Sequence, residues 1–92
     1  MLLDPVALAT RAGFPLTAAR ILVNRPGRIV ARLDGFDEPA VLKADAVADA
    51  FVPEVAAIER LGSAGIPVPR ILAHEPGDPA ILLLSWTEGQ PL

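Results

Sequence analysis

The side chain in this sequence that most needs a partner is Lys43. It sits in Ala40-Val41-Leu42-Lys43-Ala44, a run short and apolar enough to be a strand. Lysine is depleted from strand interiors, and an ammonium buried without a partner is costly. Lys43 therefore demands a carboxylate or a phosphate. Eleven residues later Glu54 opens an apolar-striped helix that must pack on the same sheet. The second concentration of charge is Arg20, Arg25, Arg28 and Arg32, four arginines in thirteen residues with no acid among them. Charges of this kind usually sit on exposed faces, which makes the segment a solvated hairpin. The alternative is a polyanion site, such as one for phosphate, on that hairpin.

Other chemistries find little support. The chain has no cysteine, which removes disulfides and thiolate metal sites. His74 is its one histidine, too few for a multi-histidine metal centre, and it reads as structural. Ser63, Ser85 and Asp34 assemble no hydrolytic triad with it. The net charge of −3 argues against a duplex nucleic-acid partner. It is unevenly placed, with six basic and four acidic side chains in residues 1–44 and two basic and seven acidic ones in 45–92. No apolar run approaches the roughly 20 residues that span a bilayer. No basic segment followed by an apolar one opens the chain, so a cytoplasmic location without a membrane partner is expected.

The elements that must position Lys43 and Glu54 follow from pattern. Asp4-Pro5 starts a helix over 5–12, with Val6, Leu8 and Ala9 as its apolar face and Gly13 as its stop. Residues 19–24 are a strand, Asn24-Arg25-Pro26-Gly27 a turn, and 28–34 a second strand. In that strand Ile29, Ala31 and Leu33 face one way, and Val30, Arg32 and Asp34 the other. Residues 35–39 are a loop and 40–44 a third strand, completing an antiparallel meander. Residues 45–52 stay ambiguous, and Pro53 and Glu54 begin a helix over 53–62 with Val55, Ile58 and Leu61 as its stripe. Residues 66–69 are extended because of their prolines. Residues 70–75 and 80–86 are strands, the latter apolar throughout and hence central. The fold class is α+β: a five-stranded antiparallel sheet with one packed helix and a short N-terminal helix. At 92 residues and 52% apolar content, such a chain is expected either to associate or to be cut from something bigger.

Four segments together carry a family likeness: Ala40–Ala44, Pro53-Glu54-Val55-Ala56-Ala57-Ile58-Glu59-Arg60-Leu61, Gly65-Ile66-Pro67-Val68-Pro69-Arg70-Ile71-Leu72-Ala73, and Ile81-Leu82-Leu83-Leu84-Ser85-Trp86-Thr87-Glu88-Gly89-Gln90-Pro91-Leu92. In this order the chain resembles the amino-terminal lobe of the aminoglycoside phosphotransferase family, kinase-like enzymes that phosphorylate small molecules. The resemblance implies one nucleotide-binding lobe over 1–92. Residues 1–18 are its helix and lead-in, 19–86 its sheet and helix, and 87–92 a hinge before a catalytic lobe that the chain does not reach. It implies ATP or GTP with Mg²⁺ as cofactor. Lys43 would meet the phosphates and Glu54 would orient it. The carbonyl of Ser85 and the N–H of Thr87 would meet the base. Val41 shares a face with Lys43 by alternation and is either the base's apolar floor or ordinary core. Arg25 and Arg28 could approach phosphate from the turn. Glu59 competes with Glu54 but falls on another helical face.

Departures are clear. There is no H-x-D-x-x-x-x-N or D-x-D pattern for a catalytic base and metal. The turn at 24–28 has one glycine and a proline where protein kinases carry a glycine-rich run. The implied function is therefore the nucleotide-binding half of an ATP- or GTP-dependent phosphotransferase acting on a small hydroxyl compound, inactive alone. The other readings are a non-catalytic binding module or truncated product derived from such a kinase, and a small structural β-protein whose lysine is incidental.

Overall fold

A computed structural model describes residues 4–13, 16–35 and 39–86. Helix α1 is Pro5–Arg11. The Asp4 carboxylate caps it by accepting from the Val6 N–H at 3.0 Å, and Gly13 follows at φ +81°, a conformation glycine adopts freely. Pro5, Leu8 and Ala9 are its buried side. Val6 is 49% exposed, against the sequence expectation, because a two-turn helix buries one narrow stripe at i, i+3 and i+4 and Val6 falls beside it.

Strands β1 (Leu16–Arg25), β2 (Arg28–Gly35) and β3 (Ala40–Asp45) form the expected antiparallel meander. β1 starts three residues earlier than its branched side chains suggest, since pairing with β2 extends to Leu16 opposite Gly35. Helix α2 is Val52–Ser63, and β4 (Ile71–Glu75) and β5 (Ala80–Ser85) complete the sheet in the order β1-β2-β3-β5-β4. The fold is thus α+β, with a five-stranded antiparallel sheet and two helices. The most apolar strand, β5, is paired on both edges, and Ala80 to Leu84 are all buried.

The two sheet faces are covered differently. Ile29, Ala31 and Leu33 of β2, Leu42 and Ala44 of β3, and Ile81 and Leu83 of β5 form one core with Leu8 and Ala9 of α1. On the other face Ala80, Leu82 and Leu84 cluster with Phe51, against which Val55 and Ile58 of α2 pack. Leu61, one turn on, has left that contact and is 41% exposed. The ambiguous stretch at 45–51 is a chain of turns. Asp45 Oδ1 accepts from the Val47 N–H at 2.8 Å, and carbonyls of Val47 and Asp49 accept from Ala50 and Val52. This delivers Phe51, fully buried, to the core. Among the described residues no helix is long and apolar enough to cross a membrane.

Candidate functional site

Register decides which side chains share the second face. Val30 pairs with Lys43, and Lys43 pairs with Leu82. Directly paired residues project to the same side. One row toward the β1–β2 turn, Arg28 pairs with Asp45, and one row the other way Arg32 pairs with Val41. The face therefore reads Val41, Lys43, Asp45 along β3 and Arg32, Val30, Arg28 antiparallel to it.

Lys43 finds its carboxylate. Its Nζ donates to Glu54 Oε2 at 2.6 Å, from mid-strand to the first turn of α2. The two side chains are 14% and 31% exposed, so the pair is partly withdrawn from water without being sealed. Pro53 beside it fits the first turn, where its missing N–H costs no helical bond. The first turn of a helix also favours an anionic side chain. Glu59 is exposed and takes no part in this contact.

Lys43 opens onto a groove of about 370 Å³ lined by Leu22, Val23, Arg25, Arg28, Val30 and Lys43. Its floor is apolar and its turn end is cationic. Leu22 and Val23 both reach it because the β1–β2 register slips between Ile21 and Val23, and on this edge strand both are more than a third exposed. Periodicity alone gives no sign of that slip, so Leu22 and Val23 were not among the sequence candidates; alternation placed Val30 on its face but gave it no role.

Arg28 is held rather than loose. Its Nη1 lies 3.3 Å from Asp45 Oδ2, and its Cζ stands 5.5 Å from the Phe51 ring centroid. Arg25 and Arg20 are exposed. Arg32 stacks on Trp86 with Cζ 5.0 Å from the ring centroid, and its Nε is 3.5 Å from Asp34 Oδ1. The arginines thus divide between solvated positions and positions fixed by a carboxylate and a ring.

The remaining sequence candidates lie elsewhere. Val41 is on the Lys43 face but only 1% exposed, and it does not line the groove. Ser85 ends β5 opposite Ala40, with its Oγ accepting from the Arg70 N–H at 2.8 Å and its own N–H donating to the Arg70 carbonyl at 2.9 Å. Thr87 lies outside the described residues. His74 is opposite Leu82, with Nε2 buried and without a hydrogen-bond partner. Among the described residues no three His, Asp or Glu side chains gather as metal ligands do.

Comparison of the chain with protein-family models and with curated proteins finds no match.

Proposed function

We propose that this chain is a nucleotide-binding lobe of the kinase small-lobe type, resembling that of the aminoglycoside phosphotransferases. In this reading it is the nucleotide-holding half of a phosphotransferase for a small hydroxyl compound. The observation that carries the reading is the 2.6 Å contact between Lys43 on β3 and Glu54 on α2, beside a groove with apolar floor and cationic end. A lysine held by a helix carboxylate keeps its charge at a fixed point, which is what positioning a phosphate needs.

Leu22, Val23 and Val30 would support ribose and base, and Lys43 the phosphates. The base contacts that the resemblance implies at Val41 and Ser85 fall outside this groove, Val41 being 1% exposed. Either ATP or GTP suits such a site. Mg²⁺ would accompany the nucleotide in a complete enzyme. The carboxylates beside the groove do not suit it: Glu54 and Asp45 are already committed to Lys43 and Arg28. The metal and the acceptor's base would have to come from other residues.

Calorimetric titration of the chain with ATP and GTP tests the reading. The expected result is saturable binding, weakened at least roughly tenfold in Lys43→Met, which removes one charge-assisted contact. Equal binding by wild type and Lys43→Met, or no binding by either, refutes it.

A further inference from the structure

We infer that the β1–β2 turn grips the outer phosphates of a polyphosphate with arginine side chains, Arg28 and Arg25, in place of a backbone cradle. The inference rests on the nucleotide-binding reading for its location and adds the part of the ligand that lies beyond Lys43.

The turn is not a free flap. Arg25 pairs with Arg28 across Pro26-Gly27, so two residues make the whole reversal. Gly27 is at φ +76°, and its carbonyl accepts from the Ala46 N–H at 2.7 Å. The tip is thereby tied to the exit of β3. A second tie, Arg28 to Asp45, lies beside it. A glycine-rich loop can fold its amides onto phosphates because it is unencumbered; this one is fastened sideways to the neighbouring strand.

Side chains supply what the backbone does not. Arg28 is fixed by Asp45, whose other oxygen is occupied by the Val47 N–H, and by the Phe51 ring below. The ion pair uses Nη1, so Nε and Nη2 remain for a ligand. The side chain is 41% exposed and borders the groove. Lys43 and Arg28 are diagonal neighbours on paired strands, with backbones roughly 7–8 Å apart. Both side chains border the one groove, so a single polyphosphate can meet both charges. Val23, Val30 and Lys43 share one row of the sheet and Arg25 and Arg28 the next row toward the turn, so a nucleotide whose base lies over Leu22, Val23 and Val30 would meet Lys43 with its first phosphates and Arg28 with its terminal ones. Arg25, exposed at the same rim, closes the end of the groove. A planar guanidinium fork matches a phosphate's oxygens in two-point contact.

The test titrates the full chain with sodium tripolyphosphate, ATP and AMP at one fixed salt concentration. The expected result is that Arg28→Gln weakens tripolyphosphate and ATP by about tenfold or more, the size of a lost charge-assisted bond, and leaves AMP unchanged. Arg25→Ala, an exposed substitution that leaves the fold intact, should follow with a loss of about two- to fivefold. Arg20→Ala lies outside the groove and should bind as wild type does. If Arg28→Gln fails to fold, Arg25→Ala decides. The inference is overturned if tripolyphosphate does not bind, if neither variant changes its affinity, or if Arg20→Ala loses as much, which would mark a diffuse basic surface. Tripolyphosphate binding that depends on Arg25 and Arg28, without any nucleotide binding, would leave the clamp standing and remove the nucleotide reading. Nucleotide binding that depends on Lys43 but ignores Arg25 and Arg28 would do the reverse.

Discussion

Arg28 rests on Phe51, with its guanidinium carbon 5.5 Å from the ring centroid. The same ring is fully buried among Ala80, Leu82 and Leu84. One side chain therefore joins the core under α2 to the cationic end of the groove. Phe51→Ala should cost about 3–5 kcal/mol, the range for deleting a buried aromatic side chain. That is a large part of the roughly 5–15 kcal/mol available to a domain. Phe51→Leu should keep most of the stability and lose only the ring under Arg28, worth about 0.5–1 kcal/mol at an exposed site. Urea unfolding of the two variants separates the effects. Equal losses would mean that the ring under Arg28, and not the apolar packing, carries the whole effect.

The sheet was legible because its signals are local. Alternation in Arg28–Asp34, the branched run at 19–24 and the apolar run at 80–84 each show their state within six or seven residues. Lys43 and Glu54 were legible for another reason: a lysine mid-strand conflicts with its surroundings unless something answers it. Phe51 was not, because it sits in a string of turns held by the Asp45 side chain, where no period exists to read. The groove was hidden too. It depends on a register slip in β1, and slips are set by pairing rather than by composition. Val41 shows the limit of alternation, which assigns a face but not an exposure.

Gly27 occupies the left-handed region at φ +76°. A methyl group there would meet Ala46 Cβ at 3.5 Å, an ordinary contact, so space is not the obstacle. The obstacle is the backbone, which costs an L-residue roughly 1–2 kcal/mol in this conformation. Gly27→Ala should lose about that much in chemical unfolding, and Gly27→Asn less, since asparagine tolerates the conformation better. Equal stability of all three proteins would show that the turn relaxes without penalty.

His74 offers a gain. Its Nε2 is buried without a hydrogen-bond partner on the face that carries Leu82. An unanswered polar atom costs about 1–3 kcal/mol, and an apolar replacement of similar size removes the cost. His74→Leu should raise stability by about 1 kcal/mol or more, read as a higher urea midpoint at unchanged slope. A loss instead would indicate that an ordered water satisfies the ring.

The Lys43–Glu54 contact can be measured without any ligand. Its side chains are 14% and 31% exposed, between a solvated pair and a sealed one. Exposed pairs contribute about 0.2–1 kcal/mol, whereas hydrogen bonds to charged groups reach about 1.5–3 kcal/mol. The coupling from Lys43→Met, Glu54→Gln and the double variant should therefore be near 1 kcal/mol. Methionine keeps most of the aliphatic stem and glutamine keeps the shape, so each change removes mainly charge. The coupling should shrink only modestly as salt is raised, because partly buried charges are screened less than exposed ones. The same cycle run on nucleotide affinity should be non-additive: once Lys43 is gone, Glu54 has nothing left to orient. Additivity within about 0.3 kcal/mol in both measurements would mean that the pair does not act as a unit. Glu59, exposed on the same helix, would then be the next carboxylate to test.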